Sequence, residues 1–131
     1  MRIESLELEQ FRNYRLQRMD FDPRCNVIFG ANAQGKTNLL EAILYLSCGK
    51  SPRARSDREM IGFDAAAARL TATVLARERV FQVQAELFRD RRRKLSVNKV
   101  PAKNSAALSE VYHTVYFRPE DLFLILSLIH I

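Results

Sequence analysis

Apolar and polar residues alternate from Arg2 to Phe11, with Leu6 and Leu8 separated by Glu7. This period of two predicts a half-buried strand. Asn13 marks a turn, and 16–21 is a second strand that stops at Asp22-Pro23. The short apolar run 26–29 feeds directly into Gly30, the pattern of a buried strand followed by a glycine loop. The period then changes. Leu39, Leu40, Ile43, Leu44 and Leu46 fall at helical offsets, with Asn38 and Glu41 polar, so 37–46 reads as a helix. Gly49, Pro52 and several basic residues make 48–58 a loop. Alternation returns over 69–75, 80–88 and 94–97, carried by Leu70, Val74, Val80, Phe81, Val83 and Leu87, with a turn at Asn98-Lys99. A short helix is expected over 104–111 and a strand over 114–117, stopped by Pro119. The order predicts an α/β core with an antiparallel β subsheet attached.

Bulk properties narrow the picture only slightly. The chain has 131 residues and is 47% hydrophobic, enough for one domain with a core or for a piece of a larger one. Its formal net charge of +6 leaves two readings open, affinity for polyanions and plain solubility. The cations are clustered: Arg89 and Arg91 to Lys94, then Lys50, Arg53, Arg55 and Arg58, then Arg12, Arg15 and Arg18. The first of these clusters reads equally as a phosphate-contacting patch and as a solvated hairpin tip.

Several classes are set aside. Cys25 and Cys48 have no metal-ligand spacing, and two reduced thiols are expected. The charged N-terminus lacks the apolar stretch of a signal peptide, so a cytoplasmic protein is expected. The apolar run 122–131 is about half the ~20 residues a spanning helix needs. His113 and His130 stand isolated and read as structural.

One motif carries chemistry. Gly30-Ala31-Asn32-Ala33-Gln34-Gly35-Lys36-Thr37 matches Gly-x-x-x-x-Gly-Lys-[Ser/Thr] in full. A chance match in a chain of this length is on the order of one in a few hundred, and the preceding apolar run and following helix supply the required context. Glycines let successive N–H groups turn inward on phosphate oxygens, and the helix that opens near Thr37 adds its positive end. In that geometry Lys36 reaches the β- and γ-phosphates of a nucleoside triphosphate, expected to be ATP, and the Thr37 hydroxyl coordinates Mg²⁺. Glu41 is within reach of such a metal by sequence position, but is expected on a solvated helix face or paired with a neighbour. No apolar run ending in Asp or Asp-Glu serves as a Walker B strand, since Pro119 interrupts the approach to Asp121.

The sequence resembles the RecF family of bacterial DNA replication and repair proteins. The resemblance is carried by Phe11-Arg12-Asn13-Tyr14, by the loop and its continuation Asn38-Leu39-Leu40-Glu41-Ala42-Ile43, by Gly49-Lys50-Ser51-Pro52-Arg53, and by Phe117-Arg118-Pro119-Glu120-Asp121-Leu122. It implies a P-loop NTPase, an ABC-type ATPase head related to SMC proteins, with a mixed sheet and an attached antiparallel subsheet. It also implies ATP with Mg²⁺ at 30–37, and Arg12 as a nucleotide or DNA contact. Single- and double-stranded DNA and gapped junctions are implied as ligands, RecR and RecO as partners, an ATP-dependent homodimer in the full-length protein, and roles in gap repair, recombinase loading and the SOS response. Residues 1–125 then form the N-terminal part of the head, and 126–131 depart from the family and read as a truncated or non-native tail. The family's weak ATPase activity is not expected from this chain alone, because Walker B and signature motifs are not among its residues. Two other classes stay open on the residues themselves: a P-loop kinase of a small substrate, and a non-catalytic nucleotide-binding fragment.

Overall fold

The computed structural model describes residues 1–29 and 33–116; for residues 33 and 34 only the backbone is described. Its frame is a six-stranded sheet: β1 (Arg2–Phe11), β2 (Tyr14–Asp20), β3 (Ala67–Ala76), β4 (Arg79–Phe88), β5 (Lys94–Val97) and β6 (Val100–Ala102). The spatial order is β2-β1-β3-β4-β5-β6, and every neighbouring pair is antiparallel. The described strands therefore supply the antiparallel part of the expected architecture.

Register explains why the alternation was so clear. Leu8, Leu70, Ala85 and Leu95 lie in one cross-strand row, and Leu6, Ala72 and Val83 in the next. All seven are buried in one apolar core. The opposite face carries the row Glu9, Arg69, Glu86 and Lys94. Arg69 there lies 3.8 Å from Glu9 and 3.7 Å from Glu86, exposed pairs of small energetic weight. One face is apolar and the other charged, so a one-residue slip would invert both.

Helix α1 (Ala33–Cys48) closes the apolar face, and α2 (Ala106–Ser109) packs near its C-terminal end. The helix begins earlier than the expected start near Thr37, so Gly35, Lys36 and Thr37 belong to its first turns. Its buried stripe runs through Asn38, Leu39, Glu41, Ala42, Tyr45 and Leu46. Gly49 ends the helix at φ +76°, its N–H donating to the Tyr45 carbonyl at 2.7 Å. A Cβ on Gly49 would lie 2.6 Å from the Ser105 Cβ, so this position needs glycine for both conformation and space.

Three expectations are corrected. The run 26–29 is not a strand: no strand pairs with it among the described residues, and Val27 and Phe29 are 79% and 87% exposed. Residues 114–116 likewise form no strand. The helix expected over 104–111 is a single short turn, Ala106–Ser109, with Ser105 at its N-cap and the Asn104 side chain accepting the Ala106 N–H at 3.0 Å. Strand β6 was not anticipated because Pro101 sits inside it; as an edge strand it tolerates the missing N–H. Both cysteines are unbonded and exposed. Residues 30–32, the segment 117–122, the final apolar run with His130, and the 126–131 tail lie outside the described residues.

Candidate phosphate-binding site

The site is built on the N-terminal half of α1. Of the expected phosphate-contacting residues, the backbone of Ala33 and Gln34 and all of Gly35, Lys36 and Thr37 are described. They occupy the first turns of a helix that has no acidic residue at its start. Helix N-termini carry partial positive charge, so this end suits an anion. The β1–β2 hairpin reaches it directly: the Tyr14 hydroxyl donates to the Gly35 carbonyl at 2.7 Å.

A buried polar network lies one turn further along. Glu41 is only 1% exposed, yet it accepts hydrogen bonds on both oxygens. Arg12 grips it through two bonds, Nε to Oε1 at 2.8 Å and a terminal nitrogen to Oε2 at 2.9 Å. Ser51 donates to Oε2 at 2.5 Å, and Arg53 to Oε1 at 3.2 Å. Arg53 also donates to Asn38 Oδ1, whose amide nitrogen donates to Asn13 Oδ1 at 2.7 Å. Such a paired, fully bonded carboxylate avoids the penalty of an isolated buried charge. Burial pushes the Glu41 carboxyl up, but the bonds from Arg12, Ser51 and Arg53 outweigh it, and its pKa lies below the ordinary 4.5. The Arg12 guanidinium is raised, chiefly by its bond to Glu41.

The network ties two segments, the β1–β2 turn and the loop after α1, to α1. Arg12 is held at φ +49°, and its backbone N–H donates to the Met60 carbonyl at 2.9 Å. A non-glycine residue in this region is uncommon, and here the surrounding contacts hold it there. Thr37, Glu41, Arg53 and Tyr116 border a common depression beside the helix. Among the described residues no group of three or more His, Cys, Asp or Glu side chains gathers to hold a metal. A Mg²⁺ ion here would draw on the Thr37 hydroxyl and the nucleotide's own oxygens, the mode this cation favours with phosphates.

Glu41 proves to be paired and not solvated, and Arg53, from the loop after α1, belongs to its network. The signal for Glu41 was its helical phase, which it shares with Asn38, Ala42 and Tyr45. Nothing in the local pattern distinguished Arg53 from Arg55 or Arg58. Within the 89–94 cluster, Arg89 donates to the Ala65 and Gly62 carbonyls, Arg91 lies 3.9 Å from the Phe88 ring centroid, and Arg93 donates to the Tyr45 hydroxyl and the Gly49 carbonyl. Much of that cluster is therefore structural. His113 is exposed, and no described helix is long and apolar enough to cross a membrane.

Comparison with known proteins agrees with this geometry. A family model described as an AAA domain matches residues 5–117. Curated relatives called DNA replication and repair protein RecF, from Lachnospira eligens and Heliobacterium modesticaldum, are 38% and 42% identical over 125 residues. Each match covers 95% of this chain and 34% of the relative, so the chain spans about a third of their length. The solved structure of the recombination mediator protein RecF-ATPrS in the RecFOR pathway aligns with a TM-score of 0.87 at 30% identity, over 95% of this chain and 34% of that one. An SMC ATPase structure aligns with a TM-score of 0.73 at 21% identity, over 95% of this chain and 97% of that one, a likeness of fold alone. The chain belongs to the AAA domain family, and within it the similarity is to RecF proteins.

Proposed function

We propose that this chain is the ATP-binding N-terminal part of a RecF-type DNA replication and repair protein, with residues 1–125 forming part of the ATPase head. The observation that carries the reading is the placement of Gly35, Lys36 and Thr37 in the first turns of α1, braced from behind by the Arg12–Glu41–Arg53 network. In this reading residues 30–37 cradle the triphosphate. Lys36 takes the β- and γ-phosphates, and Thr37 takes Mg²⁺. Arg12 is the cation behind them, held in place by Glu41. The chemistry is phosphoryl transfer to water, in which positioning and charge neutralisation do most of the catalytic work. The groups that orient the water come from the remaining chain length or from a second subunit of an ATP-dependent homodimer.

The relatives' RecF identity and the RecFOR context extend the proposal to DNA in single-stranded, duplex and gapped forms, to RecR and RecO as partners, and to a cytoplasmic role in recombinational repair. The all-antiparallel order of the described strands disfavours a small-molecule kinase, whose core alternates strand and helix.

Calorimetric titration of the chain with Mg·ATP tests the nucleotide reading. Lys36→Ala is expected to weaken binding by at least about tenfold, equivalent to about 1.4 kcal/mol, while leaving thermal unfolding unchanged. Equal affinity in the two proteins would overturn the assignment. Rapid multiple turnover by the 131-residue chain alone would contradict the division of the hydrolytic site.

A further inference from the structure

Four of the cationic side chains that the fold does not consume border one place. Two adjoining depressions share Asp57 and Arg93 as walls, and are otherwise bordered by Lys50 and Arg55 on one side and Arg92 and Lys103 on the other. Among the described residues the side chains of Lys50, Arg55, Arg92 and Lys103 form no ion pair, hydrogen bond or ring contact. All four residues are exposed. They come from three separate segments: Lys50 and Arg55 from the loop between α1 and the 3-10 turn Asp57–Met60, Arg92 from the β4–β5 connection, and Lys103 from the stretch after β6.

The floor is rigid. Arg93 donates to the Tyr45 hydroxyl at 2.8 Å and to the Gly49 carbonyl, and stacks 5.7 Å from the Tyr45 ring centroid. The Tyr45 hydroxyl in turn donates to Asp57 at 3.2 Å. The Tyr45 phenol is pushed up to about 12, first by burial, so it stays a neutral donor. Among the described residues Asp57 is the one acidic residue bordering the groove, and it is already engaged. The rim therefore presents unpaired positive charge over a fixed base. This place is not the triphosphate site: Lys36 and Gly49 stand at opposite ends of α1, about 20 Å apart at 1.5 Å per residue.

We propose that this groove, at the C-terminal end of α1, binds the phosphodiester backbone of duplex DNA. The inference rests on the DNA-binding reading above and gives it a surface. A row of separate cations drawn from several segments suits a repeating polyanion, whose affinity comes from counterion release at each phosphate contacted. The flexible lysines and arginines on the rim can track a backbone without reading bases.

The test compares this chain with Lys50→Ala/Arg92→Ala/Lys103→Ala and with Arg15→Ala/Arg18→Ala/Arg24→Ala. The control removes equal charge, with Arg15 and Arg18 on β2 at the opposite edge of the sheet. Binding of a fluorescent 30-base-pair duplex is followed by anisotropy across a salt series, and thermal melting checks folding. The groove variant is expected to lose about 10- to 100-fold in affinity at moderate salt, and its log–log salt slope to flatten by roughly 0.9 per lost contact. The control is expected to stay within about threefold of the parent. Parent binding with an equal loss in both variants, or with none in the groove variant, overturns the groove and leaves DNA binding standing. No salt-dependent binding by the parent overturns both. Tighter binding of polyglutamate than of duplex at equal charge overturns the choice of occupant.

Discussion

The antiparallel sheet and the segment that leads into the phosphate loop carry equally apolar residues but treat them in opposite ways. Leu8, Leu70 and Ala85 are fully buried in one cross-strand row, whereas Val27 and Phe29 stand largely exposed. In the sheet, each apolar side chain has a partner fixed by register two residues away from the next. In 26–29 the apolar run has no strand beside it among the described residues. Hydrophobicity alone therefore does not make a strand: the pattern must also find its ladder.

The largest effect should come from breaking the sheet. Leu70→Ala removes a side chain from the centre of the core and is expected to cost about 2–5 kcal/mol, read by urea denaturation. Phe29→Ser, a larger chemical change, should stay within about 0.5 kcal/mol in this chain, because its ring is already exposed. If Phe29→Ser proves as costly as Leu70→Ala, the contrast between the two regions collapses.

The polar network should come next. Arg12→Ala removes both bonds of a bidentate pair and leaves Glu41 buried with Arg53 and Ser51. A loss of about 2–4 kcal/mol is expected, below the full range for an orphaned buried ion because two donors remain. Its pH dependence has a definite sign. The Glu41 pKa is lowered in the folded state, so its contribution is fully present above the unfolded value near 4.5 and is lost as pH falls through the folded value. The stability gap between the parent and Glu41→Gln should accordingly be constant above about pH 5.5 and shrink in more acidic buffers. A gap that widens on acidification would contradict the assignment.

These two regions also mark how far the residues alone could be read. Strands β1, β3, β4 and β5 were legible almost to their ends, because period-2 alternation reports a sheet with one wet face. The motif Gly30 to Thr37 stands out as a candidate phosphate loop because few other backbones need that spacing, and of its residues 33–37 are described. The brace behind it was not. Arg12, Glu41 and Arg53 are far apart in sequence, and local periodicity carries no information about which charges meet across a hairpin and a helix. Glu41's helical phase was the one available clue. The run 26–29 misled because a continuous apolar stretch looks the same whether or not its neighbours are present.

Tyr14 offers a smaller test of the link between hairpin and loop. Tyr14→Phe deletes only the hydroxyl that donates to Gly35. A loss of about 1 kcal/mol in stability is expected, the usual net worth of one such bond. If the contact also sets the posture of the loop, Mg·ATP affinity should fall by a few-fold in the same variant. Unchanged affinity would confine Tyr14 to a structural role.

The smallest expected effect is a gain, and it lies in the sheet's own turns. Two of them place two consecutive non-glycine residues at positive φ: Arg77 and Glu78 at 51° and 61°, Asn98 and Lys99 at 51° and 66°. The second turn is well suited, because Asn98 tolerates this region and its side chain accepts the Gln82 N–H at 2.8 Å. The first lacks such chemistry. Arg77 repays its strain by donating to the Glu110 carbonyl at 3.2 Å and lying 5.9 Å from the Phe81 ring centroid, but Glu78 makes no comparable contact among the described residues. A left-handed conformation costs an L-residue roughly 1–2 kcal/mol, and glycine gives back about 0.5–1 kcal/mol of that in unfolded-chain entropy. Glu78→Gly should therefore stabilise the chain by about 0.5 kcal/mol, seen as a slightly higher urea midpoint with unchanged slope. The same change at Asn98 should destabilise, since it trades a bonded side chain for freedom the turn does not need. Equal and opposite shifts at the two turns would show that local turn chemistry, more than the alternation of the strands, limits how tightly this sheet is held.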